Sequence, residues 1–280
     1  IQLRNFQDQF PLALTEMVGR QLFLTDFGKE IAIAADRILE EVNTINYKTI
    51  AFGGNLAGRL KIAVVSTGKY VMPYFLSGFM KANPGVDLTM DVTNKASVLN
   101  NLEQNEVDFA LVSVLPKHFG VHKIGLLENR LYLVGSATET FGMTSVTLEN
   151  LEKAPLIFRE NGSATRMAME RFLNTNKIKI SKRIELTSNE AVKQAVVAGL
   201  GYSIMPLIGI KNEMSNGALK IHPLPGLPII TKWNLIWMPT KKFSPVAQAF
   251  SDHLEAQKNV IAQREFQWVN DYFADSREAL

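Results

Sequence analysis

Small hydroxyl residues stand at several turns where a predicted strand passes into a predicted helix: Ser66-Thr67-Gly68, Ser163-Ala164-Thr165 and Thr187-Ser188. In an open α/β sheet, ligands bind beyond the carboxyl ends of the strands, where helix N-termini present free backbone N–H groups and a partial positive charge. Lys69 and Arg166 lie close enough in sequence to add positive charge. These turns therefore suit a carboxylate or a phosphate. The alternative is that each hydroxyl only caps its own helix.

The sequence offers little support for a catalytic site. The four histidines include His118 and His122, which are four apart, but Phe119-Gly120 between them disfavours a helix. There is no G-x-S-x-G nucleophile turn and no phosphate-binding P-loop, and Gly199-Leu200-Gly201 is placed as the end of a helix rather than as a dinucleotide motif. We expect no catalytic residue, no metal site, no cofactor and no enzymatic activity.

The elements that position these turns form two similar rounds. After the glycine-rich segment 53–58, strands and helices alternate to near residue 264, with the second round beginning near residue 151. This alternation predicts an α/β architecture with a parallel sheet. Two such lobes, joined by crossing strands, would enclose a cleft between them.

A long helix is predicted over residues 26–52, with Thr25 in the capping position. Its apolar residues recur at alternating spacings of four and three, as a two-stranded helical seam requires. They are Ile31, Ala35, Ile38, Val42 and Ile45. The alternative is an amphipathic helix that lies on its own domain.

Composition narrows the class of protein. The chain has 280 residues, a formal net charge of +3, 46% apolar residues and no cysteine, which excludes disulfides and cysteine-zinc sites. It contains no apolar run of the roughly 20 residues that a bilayer requires and no signal-peptide core. A cytoplasmic protein without membrane contact is the simplest interpretation. Because the first residue is Ile1 rather than Met, we expect residues upstream to be missing.

Several segments together resemble the LysR type of transcriptional regulator. Gly19–Gly28, which contains Leu24-Thr25, resembles the passage from the wing to the linker helix in that family, and residues 3–10 are similar to the end of its recognition helix. Further segments resemble the family's sensor domain: Gly58-Arg59-Leu60-Lys61-Ile62, Asp108-Phe109-Ala110-Leu111-Val112, Gly162-Ser163-Ala164-Thr165-Arg166 and Val197–Pro206. Residues 13–16 depart from the family's strand that reads Pro-Leu-Phe.

The resemblance implies a domain organisation. The expected parts are residues 1–25 as the C-terminal part of a winged helix-turn-helix, 26–52 as a dimerisation linker helix, 59–264 as a two-lobed effector domain similar to type 2 periplasmic binding proteins, and 265–280 as a C-terminal extension. Within the effector domain, lobe I is expected at about 59–136 and 236–264, and lobe II at about 137–235.

The resemblance also implies a function, namely DNA-binding transcriptional regulation controlled by a small molecule bound between the two lobes. Implied partners are double-stranded operator DNA, further copies of the chain joined as a dimer or tetramer through the linker helix, RNA polymerase, and an organic acid or phosphorylated metabolite as effector. The expected DNA-binding residues are Gln2, Arg4 and Arg20, with ordinary surface polarity as the alternative. The expected effector-binding residues are Ser66, Thr67, Lys69, Ser113, Ser163, Thr165, Arg166 and Thr187.

Two other functions remain open. A two-lobed solute-binding receptor without DNA binding would share the α/β cleft, and so would an enzyme on the same fold. Residues 265–280 are expected to form a short amphipathic helix that packs either on its own lobe or on a neighbouring subunit. Its apolar residues are Phe266, Trp268, Val269, Tyr272 and Phe273.

Overall fold

The computed structural model describes residues 2–143 and 145–278, and the chain divides into two compact units, Ile1–Gly58 and Arg59–Leu280. The helices are α1 (Gln2–Gln7), α2 (Asp26–Phe52), α3 (Met72–Ala82), α4 (Lys95–Glu103), α5 (Ala164–Thr175), α6 (Asn189–Val197), α7 (Lys211–Ser215) and α8 (Pro245–Glu278). The strands are β1 (Thr15–Val18), β2 (Gln21–Leu24), β3 (Ala57–Val65), β4 (Gly85–Thr93), β5 (Phe109–Val112), β6 (His122–Ser136), β7 (Pro155–Arg159), β8 (Lys182–Leu186), β9 (Ser203–Pro206), β10 (Leu219–His222) and β11 (Ile229–Trp237).

The first unit consists of α1, the antiparallel hairpin β1–β2 and the long helix α2. Gly19 and Arg20 form the two-residue turn of the hairpin, and the φ of +66° at Gly19 is one that glycine adopts readily. Thr25 caps α2, because its Oγ1 accepts a hydrogen bond from the Gly28 amide at 2.9 Å. The same hydroxyl donates to the Ala13 carbonyl at 2.6 Å. The predicted helix over residues 26–52 is confirmed.

The apolar stripe of α2 is exposed within the single chain. Ile38, Val42 and Ile45 have exposed fractions of 66%, 49% and 63%. Large apolar side chains aligned along one exposed face of a helix are typical of a surface that pairs with another helix.

The second unit contains a mixed sheet, not the parallel sheet that the alternating pattern predicted. Its strand order is β10–β6–β11–β5–β3–β4, with β9 also paired to β6. The pairing of β3 with β5 is parallel, whereas β11 runs antiparallel to both β5 and β6. The chain passes from β5 to β6 without a helix, so this connection lacks the helical crossover that usually joins parallel neighbours.

Two lobes share the long strand β6. Its first part pairs with β11, and its last part pairs with β9 and β10. A bridge between Leu156 and Tyr202 then connects β9 to the parallel pair β7–β8. Below, lobe I denotes β3, β4, β5, α3, α4 and α8, and lobe II denotes β7, β8, β9, α5, α6 and α7.

Each lobe has its own apolar core. In lobe I, Phe79, Phe109 and Phe250 are buried and their rings contact one another, with centroids 5.2 and 5.7 Å from Phe250. In lobe II, Phe158 and Phe172 belong to a buried cluster that also includes Ile204 of β9.

Helix α8 is one continuous helix of 34 residues rather than a helix to about 262 followed by a short one. Phe266 and Val269 are buried, and the Phe266 ring stacks on Phe75 with centroids 5.9 Å apart. The extension thus packs on its own unit. The side chain of Phe273, also expected on this face, lies outside the described part of the chain. Among the described residues, no helix has the length and apolar character needed to cross a membrane.

Candidate functional site

A narrow pocket between the two lobes is lined by residues from three strand-to-helix transitions. Its cavity volume is about 10 Å³, room for about one water molecule, so a larger ligand enters only when the lobes move apart. Lobe I contributes the turn after β3 and the start of α4, and lobe II contributes the end of β7 and the start of α5. The lining residues are Val65, Ser66, Thr67, Asn94, Lys95, Arg159, Ser163, Ala164 and Thr165.

The hydroxyl groups of this pocket are buried. Thr67, Ser163 and Thr165 have exposed fractions of 6%, 4% and 8%. The Ser66 Oγ is also buried and has no hydrogen-bond partner among the described residues. Because buried polar atoms are nearly always hydrogen-bonded, an unpartnered hydroxyl in a pocket is one that a ligand or water can satisfy.

Two helices begin at the pocket. The Asn94 Oδ1 caps α4 by accepting from the Ser97 amide at 3.0 Å, and the Ser163 Oγ caps α5 by accepting from the Arg166 amide at 3.5 Å. Free backbone N–H groups and the partial positive charge of each helix start favour an anion there. Ser163 therefore caps its helix and lines the pocket, so the two interpretations of the hydroxyl turns are compatible at this position.

Two cations, Lys95 and Arg159, complete the pocket, and neither was expected from the sequence. Burial, with a smaller effect of nearby Lys117, lowers the pKa of Lys95. Arg159 is 4% exposed and donates two hydrogen bonds of 2.7 Å to the Glu160 carboxylate. Arg159 could have been recognised from the sequence, because it is a charged residue at the end of an otherwise apolar, buried strand, β7.

The structure brings four of the eight expected effector-binding residues together: Ser66, Thr67, Ser163 and Thr165. Ser113 is half-buried just after β5, and Thr187 is exposed; neither lines this pocket.

The other two lie elsewhere for identifiable reasons. Lys69 lines a different cavity. The Arg166 guanidinium is held by Glu170 and Glu185, each at 2.9 Å, and also donates to the Arg159 carbonyl at 3.3 Å, so its charge is already paired.

The expected DNA-binding residues are in the first unit. Gln2 and Arg4 are exposed on α1, and Arg20 is exposed in the turn of the β1–β2 hairpin. An exposed arginine at a hairpin tip can reach a phosphate or a minor groove.

Comparison with known proteins decides the family. The family described as "LysR substrate binding domain" matches residues 53–259, more than half of the chain. The chain belongs to the LysR family. This LysR protein is 32% identical over 262 residues to the HTH-type transcriptional activator CmpR of Synechocystis, a match that covers 93% of this chain and 86% of CmpR. It is also 33% identical over 253 residues to a RuBisCO operon transcriptional regulator of Allochromatium vinosum, covering 90% of this chain and 84% of that protein.

Solved structures resemble this LysR protein in fold. The CcmR regulatory domain of Synechocystis PCC6803, solved in complex with 2-PG, has a TM-score of 0.67 and 30% identity, and covers 72% of this chain and 97% of its own. Full-length CbnR, solved with its target DNA, has a TM-score of 0.66 and covers 91% of this chain and 88% of its own, and at 19% identity it supports the fold alone.

The relatives are transcriptional regulators. This LysR protein is a transcriptional regulator with a two-lobed effector-binding domain. The comparisons favour this function over a solute-binding receptor.

Proposed function

We propose that this regulator senses a small phosphorylated or carboxylic acid in the pocket formed by Ser66, Thr67, Lys95, Arg159 and the 163–165 turn. The observation that carries the proposal is the unpartnered, buried Ser66 Oγ facing a pocket lined by Lys95 and by Arg159, which Glu160 also holds. Hydroxyls, ammonium and guanidinium groups and helix N-termini are all donors to anionic oxygen. The 2-PG complex of the CcmR regulatory domain supports a phosphorylated acid as the ligand class.

The first unit would bind operator DNA. Arg20 on the hairpin and Gln2 and Arg4 on α1 are the residues through which we propose contact with double-stranded DNA. The exposed apolar stripe of α2 supports self-association as a dimer, or as a tetramer of two dimers. RNA polymerase is a further proposed partner, and a cytoplasmic location without membrane contact or catalysis follows from this role.

The proposed domains follow the division between the DNA-binding, dimerising and effector-binding parts. We assign residues 1–25 to the DNA-binding part, 26–52 to the dimerising linker and 59–264 to the effector domain, with lobe I at about 59–136 and 236–264 and lobe II at about 137–235. Residues 265–280 are the extension. The CbnR complex with target DNA, whose structure covers most of this chain, supports such an arrangement at the level of the fold.

Control would work through the angle between the lobes. Ser66 and Lys95 belong to lobe I, whereas Arg159 and Ser163 belong to lobe II, so an anion bound to both groups favours the closed arrangement. A ligand shifts such an equilibrium only by its difference in affinity for the two states. An anion that contacts cations of both lobes at once binds the closed arrangement more tightly than the open one, because only the closed arrangement brings both cations within its reach.

The test is isothermal titration calorimetry of the whole chain with 2-phosphoglycolate. The protein is expected to bind it, and Ser66→Ala and Lys95→Met are expected to weaken binding. Loss of a hydrogen bond to a charged group costs about 1.5–3 kcal/mol, or roughly tenfold or more in affinity.

The matched control is Lys69→Met, which removes one positive charge near the same turn but outside the pocket. It is expected to leave the affinity within about twofold, because Lys69 does not line the pocket and its ammonium lies over the Tyr70 ring instead. Equal loss in Lys69→Met and Lys95→Met, or no binding by the unmodified chain, would contradict the proposal.

A further inference from the structure

A second cavity lies between the lobes beneath the C-terminal part of α8. Its volume is about 400 Å³, which is within the usual range for small-molecule sites. Its walls come from residues 69–74 of lobe I, from Lys193 and residues 208–213 of lobe II, and from residues 265–268 of α8. It shares no lining residue with the Ser66 pocket.

Aromatic rings form much of this cavity. They belong to Tyr70, Tyr74, Phe266 and Trp268. The Phe266 ring is fixed, because it lies edge-on to Tyr74 at 5.3 Å between centroids and is itself 4% exposed. Trp268 remains half-exposed, so part of its indole is free to contact a ligand.

Two lysines in the cavity keep an uncompensated charge. The Lys69 Nζ lies 5.1 Å from the centroid of the Tyr70 ring, and the Lys211 Nζ lies 4.7 Å from that of the Trp268 ring. Neither lysine forms an ion pair with a carboxylate of the described residues.

The carboxylates that line the cavity are already engaged. Glu213 is held by Lys193 at 2.8 Å, and Glu265 is held by Arg264 at 2.7 Å. Lys193 also pairs with Glu190 at 3.2 Å, so its own charge is compensated twice. The charge left without a counterion in the cavity is therefore positive.

We propose that this cavity is a second ligand site that binds a planar aromatic anion. The ring would stack on the exposed part of Trp268, and the anionic group would lie near the ammonium groups of Lys69 and Lys211. Stacking on an aromatic face and pairing with a partly desolvated cation are both favourable in such a cavity. The inference does not depend on the proposed effector of the Ser66 pocket.

The position of the cavity would let a bound ligand act on both lobes and on the Ser66 pocket. The turn after β3 lines the Ser66 pocket with Ser66 and Thr67, and lines the second cavity with Lys69 and Tyr70. The Tyr70 ring also packs on lobe II at Gly209, where an added Cβ would lie 2.9 Å from the ring. A ligand in the second cavity thus contacts both lobes at the turn that borders the other pocket.

The test uses phenyl phosphate as the probe and the whole chain as the protein. Calorimetric titration is expected to show saturable binding. A parallel fluorescence titration is expected to show quenching of Trp268. Lys211→Met is expected to weaken binding at least tenfold, and Trp268→Leu to weaken it and abolish the quenching. Lys242→Met, which removes an exposed lysine elsewhere, is the matched control and is expected to leave the affinity unchanged.

Two further titrations separate the sites. Ser66→Ala is expected to bind phenyl phosphate as the unmodified chain does, and inorganic phosphate is expected to bind at least tenfold more weakly to the second site. No binding at millimolar phenyl phosphate, an unchanged affinity in Lys211→Met, loss of binding in Ser66→Ala, or equal affinity for inorganic phosphate would each overturn the proposal. Failure of 2-phosphoglycolate to bind would not affect this result.

Discussion

The Asn189 Nδ2 of lobe II donates a hydrogen bond to the Tyr70 hydroxyl of lobe I at 3.3 Å. The same hydroxyl lies 3.3 Å from the Glu190 carboxylate, which accepts from it. Asn189 is 1% exposed, so its amide depends on protein partners. This link joins the lobes beside the turn that lines the Ser66 pocket.

Tyr70→Phe is expected to destabilise the protein. The substitution keeps the ring on Gly209 but leaves the buried Asn189 amide without this acceptor, which costs about 1–3 kcal/mol of the free energy of unfolding. Urea denaturation of the whole chain measures the change. Tyr74→Phe removes the hydroxyl of an exposed residue four positions further along, on α3, and is expected to stay within about 0.5 kcal/mol. Equal stability of the two variants would argue against the link.

Binding of an anionic effector is expected to weaken at alkaline pH. Because burial lowers the pKa of Lys95 below its ordinary 10.5, this ammonium is charged below the lowered pKa and loses its proton as pH rises through it. Arg159 keeps its charge throughout. Calorimetric titrations of 2-phosphoglycolate from about pH 7 to about pH 10 would measure the loss.

Lys95→Arg is the matched variant for that experiment, since arginine does not deprotonate in this range. It is expected to move the loss of affinity to higher pH. An affinity that depends on pH identically in the two proteins would show that Lys95 does not titrate against the ligand.

Ser163→Ala is expected to weaken effector binding while DNA binding at low salt stays intact. The change also removes the cap of α5, which costs roughly 0.5–2 kcal/mol of stability. Ser188→Ala is the control, because Ser188 caps α6 by accepting from the Ala191 amide at 3.0 Å and does not line the pocket.

The two serine variants are expected to lose similar stability, but only Ser163→Ala should lose affinity for 2-phosphoglycolate. A parallel loss of effector affinity in both would mean that Ser163 acts through the fold alone. A parallel loss of effector and DNA binding in Ser163→Ala would contradict the separation of the two functions.

Ile38→Glu is expected to dissociate the proposed dimer, because it places a charge in the middle of the exposed apolar stripe of α2. Analytical ultracentrifugation at micromolar protein should show the change in mass. Glu41→Gln alters a polar position of the same helix and is the control. A chain that is monomeric before any substitution would disprove self-association through this face.

The apolar pattern predicted α2 because its helical period is uninterrupted. It did not predict the full extent of β6, where Glu128, Asn129 and Arg130 interrupt the strand pattern. The structure compensates for part of this polarity: Asn129 is 4% exposed and its Nδ2 donates to the Thr231 hydroxyl of β11 at 3.0 Å. A partner about a hundred residues away cannot be recognised from local spacing.

Four of the nine residues that line the candidate pocket were predicted from the sequence. The hydroxyl turns of Ser66 and Ser163 were found because helix-start residues carry a local signal. Lys95 and Arg159 were missed, because their approach depends on how the two lobes meet. Arg166 was expected at the pocket, yet its pairing with Glu185 follows from the parallel alignment of β7 with β8, which brings that carboxylate alongside α5.

The central claim is tested most directly by a crystal structure of the chain with 2-phosphoglycolate. The account predicts density for the ligand between the lobes, with an anionic oxygen accepting from the Ser66 hydroxyl and others near Lys95 and Arg159. Density for the ligand at a site that involves none of these three residues, with the Ser66 pocket empty, would contradict it.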